Sequence, residues 1–189
     1  MHTGNSKLTG ELGSPLHAAA RARDMVDLFY HHEFSSAPNL AQDVSAVLAQ
    51  YGEPDPTVMD SDIADLAEAS RQLYALFAEA ALDQAAAIIN AVLARVAEVP
   101  RLSSHDRTRF HMHLTADDAP WGTWLLSASA WAFAVLLAEE QRNPAGLCAA
   151  RGCGRPILTV GRGQARRYCS PRCASRVRVA RYRQRQVGQ

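Results

Sequence analysis

No acidic residue stands after Glu140, no lysine falls within residues 142–189, and no cysteine precedes Cys148. The C-terminal quarter therefore has no carboxylate with which to neutralise its own charge. No stretch reads as an apolar membrane span, since even the run from Trp121 to Ala138 carries Gly, Thr and Ser. Met1 to Gly13 is polar and has no apolar h-region, so a cytoplasmic location is expected, where thiols stay reduced. No glycine-rich phosphate loop and no distinctively spaced carboxylate pair is present, and Ser104-His105-Asp106 in direct succession is not a triad geometry. No internal repeat is evident.

What is present is sharply divided. All nineteen acidic residues lie at or before Glu140, against eight basic residues in that part, a formal charge near −11. Residues 142–189 carry twelve arginines, a charge near +12. The net charge of +1 hides this split. It points to a basic module that meets a polyanion, attached to an acidic body.

The four cysteines read Cys148-x4-Cys153, fifteen residues, then Cys169-x3-Cys173. Two close pairs around a short spacer are the pattern of one tetrahedral metal site, with zinc the first expectation and one ion per chain. An iron–sulfur cluster uses the same four-thiolate set. An enzyme is the least expected class, since a metal site closed by four thiolates leaves no open coordination position. Gly152 and Gly154 bracket Cys153 as in a tight knuckle. Ile157 to Val160 reads as a strand, Gly161 to Gly163 as a turn and Ala165 to Cys169 as its return strand. Ser170-Pro171 reads as N-cap and N1 of a helix whose first turn contains Cys173.

Upstream the pattern is helical. Apolar periodicity marks helices over Leu16–Phe34, Val44–Tyr51, from an N-cap at Asp60 or Ser61 past Phe77, through Ile88–Val96, and from Pro120 to about Gln141. Phe110, Met112 and Leu114 alternate with Arg109, His111 and His113, which predicts a hairpin with Leu102–Ser104, turning at Ser104–Asp106. The fold class is mainly α. A loosely attached N-terminus (1–15) precedes a helical domain with a small β-hairpin (16–142). A small four-cysteine zinc finger built as knuckle, hairpin and helix follows (145–187). His31-His32-Glu33 and His105, His111 and His113 invite a second metal site, but a solvated hairpin face explains the last two more simply. Trp121 and Trp124, three apart, could line one pocket wall.

Several segments carry a resemblance: Leu147-Cys148-x4-Cys153, Arg166-Arg167-Tyr168-Cys169-Ser170, Cys173-Ala174-Ser175-Arg176 and Tyr182-Arg183-x-Arg185. The chain resembles a bacterial family that joins a helical ABATE domain to a C-terminal CGNR-type zinc finger. The family's Cys-Gly-Asn-Arg signature stands here as Cys173-Ala174-Ser175-Arg176, and an aromatic-acidic element of its first strand is replaced by Ile157–Val160. The resemblance implies a stress-induced transcription regulator that binds DNA. A small-molecule effector and a homodimer are the partners expected of the helical domain. The candidate nucleic-acid contacts are Arg166, Arg167, Arg172, Arg176, Arg178, Arg181, Arg183 and Arg185. Val177, Val179, Ala180 and Tyr182 are expected to pack the last helix onto the finger or the body. RNA offers the same phosphates as DNA. The rival from another class is an interaction module whose Arg-rich finger docks on an acidic protein surface.

Overall fold

The computed structural model describes residues 14–32, 39–53, 56–103, 110–116, 118–160 and 166–187. Within them the chain is mainly helical: α1 (Pro15–His32), α2 (Leu40–Gln50), α3 (Asp60–Ala78), α4 (Leu82–Val96), α5 (Trp121–Glu140) and α6 (Pro171–Val187). Two antiparallel ribbons complete it, β1 (Arg101–Ser103) with β2 (His111–His113), and β3 (Ala145–Leu147) with β4 (Pro156–Leu158). The expected turn at Ser104–Asp106, the His111 side chain and the segment 1–13 lie outside the described residues.

Two helices start by the same device. Ser14 precedes Pro15 and accepts the His17 amide on its Oγ at 3.1 Å; Ser170 precedes Pro171 and accepts the Cys173 amide at 3.3 Å. Proline at the first helical position wastes no donor, and serine satisfies the third. The start of α3 differs from expectation. Met59 stands at the N-cap, and Asp62 reaches back to accept the Met59 amide at 2.8 Å, so the capping carboxylate lies inside the helix.

The core forms where α5 is covered by α1, α3 and α4. Leu125, Ala130, Ala132 and Phe133 of α5 are buried against Met25, Leu66, Leu73, Phe77 and Ile89. Phe77 meets Phe133 edge-to-face at 5.5 Å. Asp65 accepts the Gly122 amide at 2.7 Å, and the absence of a side chain at Gly122 permits this approach of α3 and α5. By length and a mean hydropathy of 1.4, α5 could cross a membrane, despite the Gly, Thr and Ser it carries; half of that stretch is buried as the core helix. Trp124 meets Trp121 edge-to-face, 5.3 Å between centroids. Its ring is covered by the Arg21 guanidinium at 4.0 Å, and Arg21 also pairs with Glu53 at 2.8 Å. Burial lowers the Arg21 pKa, and Glu53 opposes that shift by favouring the cation.

The β1–β2 register places Leu102 opposite Met112, as the alternation predicts. The second ribbon departs from expectation. β4 is shorter than Ile157–Val160 and pairs with β3, upstream of the first cysteine, with Ala145 opposite Leu158 and Leu147 opposite Pro156. No strand is formed at 166–168. The ladder thus closes the base of the eight-residue loop that contains Cys148 and Cys153. It continues at both ends, where Cys148 donates its amide to Arg155 at 2.9 Å and Thr159 to Pro144 at 2.9 Å. Ala145 and Leu158 are buried in the main core, β3 packing on α3 and β4 on α1.

Candidate metal centre and basic helix

Four local structures deliver the four thiols. Cys148 leaves β3. Cys153 sits on the knuckle, held by its amide on Ala150 O at 3.0 Å and flanked by Gly152 and Gly154 at φ +70° and +64°. Those left-handed conformations explain both glycines. Cys169 arrives on an extended segment fixed by Ala149 N–H donating to Arg167 O at 2.8 Å. Cys173 is carried on the first turn of α6 by the Ser170 cap.

The four Sγ atoms lie within 4.8 Å of one another. Cys153–Cys169 and Cys169–Cys173 are each 3.6 Å apart, and Cys153–Cys173 is 3.8 Å. Sulfurs at the corners of a tetrahedron with zinc–sulfur bonds of about 2.3 Å would be about 3.8 Å apart. The spacing therefore fits an ion at the centre, and all four cysteines are free of disulfides. The site's electrostatics agree. Burial pushes the Cys148 thiol up, but hydrogen bonds from the Cys169 and Ala150 amides and from the Cys153 and Cys169 thiols together bring it down to about 7. The Cys169 amide lies 3.3 Å from the Cys148 Sγ. Burial and the neighbouring Cys173 thiol push Cys169 up to about 12, and burial raises Cys153. Four thiolates repel one another at this range, and a divalent cation removes the conflict.

Residues 145–186 match the sequence model of the CGNR zinc finger family. The C-terminal module is a zinc finger. A comparison with curated proteins finds no match. Cys148, Cys153, Cys169 and Cys173 hold one zinc ion per chain.

The finger's arginines divide into two groups. Arg166 and Arg176 are engaged with the metal centre. Arg166 donates to Tyr168 O at 3.0 Å and Cys169 O at 2.8 Å. Arg176 reaches Arg151 O at 3.4 Å and the Cys173 Sγ at 3.8 Å, beside the thiolate charge it offsets. By contrast the side chains of Arg167, Arg172, Arg181, Arg183 and Arg185 have no hydrogen-bond or ion-pair partner among the described residues, and Arg178 touches Ser175 Oγ at 3.1 Å. Of the apolar residues on α6, Val177 packs on the cysteine cluster, but Val179 is 48% and Tyr182 65% exposed. The expectation that these side chains bind the helix to its support holds for Val177 and fails for Val179, Ala180 and Tyr182, all of them exposed.

Sequence reasoning missed the contact between finger and body. Tyr30 and Tyr74 stack in parallel, 5.4 Å between centroids, beneath the knuckle. Tyr74 Oη lies 3.5 Å from Gly154 O, and Arg155 faces Asp27 at 3.7 Å. A tyrosine on each of two helices, on the face nearest the finger, carries no local signal of this role.

Proposed function

We propose that this protein is a nucleic-acid-binding transcription regulator of bacterial type, with the zinc finger as binding module and the ABATE-like helical body as ligand sensor or dimerisation unit. DNA is the first target, and RNA shares its phosphate chemistry. One observation carries the proposal. α6 holds six arginines and no acid, and none of the six pairs with a carboxylate among the described residues. An acidic body is available in the same chain, yet among the described residues no carboxylate meets the basic helix, and its arginines are exposed. Free arginines on a helix anchored at its start are suited to phosphate contacts. Four thiolates fill a tetrahedral zinc, so the proposed role is binding and not catalysis.

The test is binding of the intact protein to DNA, RNA and heparin at two salt concentrations. Affinity for nucleic acid falls steeply with salt. Replacing Arg181, Arg183 and Arg185 together by Ala flattens the log–log slope by about three units if each contacts one phosphate, with zinc content unchanged. If the intact protein ignores DNA and RNA and the triple variant instead loses self-association, the module is a protein-docking device.

A further inference from the structure

The arginines of α6 form two stripes. At about 100° per residue, Arg178, Arg181 and Arg185 lie about 180° around the helix from Arg172, Arg176 and Arg183. The two flanks differ in what accompanies the charge. On the second, Arg176 is drawn to the metal centre. On the first, the helix and the segment before Cys169 enclose a groove of about 380 Å³.

Ala174 and Val177 form the apolar part of that groove, between Tyr168 and Tyr182. Arg178, Arg181 and Arg185 line it as well. Tyr168 is half-buried against the cysteine cluster and held in place by its neighbours, its carbonyl accepting from Arg166. Tyr182 is exposed, and its ring and hydroxyl have no partner among the described residues. An aromatic ring left uncovered inside a stripe of arginines packs on none of the finger's described core residues. Its chemistry suits a flat, electron-rich partner joined to negative charge.

Building on the nucleic-acid reading above, we propose that this groove captures an unpaired base of a single-stranded nucleic acid. The base stacks on Tyr182 and lies over the Ala174–Val177 surface. The flanking phosphates meet Arg181 and Arg185, and Arg178 closes the near side. A paired base within a duplex hides its face in the stack, so it cannot make this contact, whereas every unpaired base offers one. A single backbone can follow one flank of the helix, and this is the flank that carries the rings.

The experiment uses the zinc-loaded full-length chain and three labelled probes of equal length: an oligothymidine, the same strand lacking its bases, and a duplex. Stacking of one base predicts tighter binding of the oligothymidine than of the abasic strand by about 5- to 150-fold. Tyr182→Leu abolishes that difference, and Tyr182→Phe keeps it, with zinc content the same in both. Equal affinity for base-bearing and abasic strands, a clear preference for duplex, or indifference to Tyr182→Leu would overturn the base-capture proposal while leaving phosphate binding intact. Failure of all three probes, and of an oligouridine of the same length, to bind would overturn the nucleic-acid reading itself.

Discussion

The hydroxyl of Tyr30 occupies the space that a side chain on Gly154 would need. The zinc knuckle is therefore seated directly on α1, and the seat depends on a residue with no Cβ. Tyr74 of α3 supports the same point from below through its stack on Tyr30. The metal site and the helical body meet through these rings, through Arg155 and Asp27, and through the β3–β4 ribbon whose Ala145 and Leu158 belong to the main core.

Gly152 and Gly154 provide a matched comparison. Both hold positive φ, but a Cβ at Gly152 meets nothing within 4 Å. Gly152→Ala carries the left-handed backbone cost of roughly 1–2 kcal/mol. Gly154→Ala carries that cost and the displacement of Tyr30, about 1–3 kcal/mol more by analogy with overpacked cores. Thermal melts of the zinc-loaded proteins should rank wild type, Gly152→Ala, Gly154→Ala, with the last further restored by Tyr30→Phe. Equal melting points for the two alanine variants would mean that the Tyr30 contact contributes nothing.

Cys169→Ser should release the zinc and melt α6 while the helical body persists. None of the described side chains of α6 is buried, and its first turn is fixed by a cap beside a metal ligand. Free energy from the metal is what orders such a segment. The β3–β4 ribbon should survive, because its inward side chains lie in the core of the body. Circular dichroism should lose no more helix than the seventeen residues of α6 contribute. Limited proteolysis should cut after residue 160 and leave the body whole. Collapse of α1, α3 and α5 in this variant would show that the finger is needed for the body to fold.

Legibility followed the range of the determining contacts. The four ligands, the Ser170 cap and the strand alternation around Met112 were readable because each is decided within a few residues. The helices over 60–78 and 121–140 were readable from the recurrence of Leu66, Leu73 and Phe77, and of Leu125, Ala128 and Leu136. What escaped depended on partners far along the chain. The pairing of Ala145–Leu147 with Pro156–Leu158 involves strands of three residues, too short for a periodic signal. The seat of Gly154 on Tyr30 spans most of the chain. The exposure of Tyr182 follows from where the finger stops supporting α6, which no local pattern records.

Arg176→Ala should weaken zinc retention, and Arg183→Ala should not. Arg176 bridges Arg151 O on the knuckle and the Cys173 sulfur, so it ties two sides of the metal site and offsets thiolate charge. Arg183 has no partner among the described residues. Partners just outside a metal's ligand shell are worth roughly 10- to 100-fold in affinity. Competition with a chromogenic chelator measures the difference directly. Lys at position 176 should recover part of the loss, since it restores charge without the planar fork. Identical chelator curves for Arg176→Ala and wild type would remove Arg176 from the metal site and return it to the candidate phosphate contacts.

Zinc affinity should fall as pH falls, and more steeply below about 7. Without metal, Cys169 titrates at about 12 and Cys153 above its ordinary range, so both are protonated at neutral pH and zinc must displace their protons. Cys148 titrates at about 7. Above that value it is already a thiolate and contributes no proton on binding; below it, one more proton must leave. The sign follows from mass action: each displaced proton makes the affinity fall about tenfold per pH unit. Apo protein mixed with zinc in weak buffer should therefore release about one proton more per ion at pH 6 than at pH 8, and the plot of log affinity against pH should bend near 7. A plot that stays straight from pH 8 to pH 5.5 would show that Cys148 is not the first thiol to ionise, and that the amides of Cys169 and Ala150 do not hold its charge.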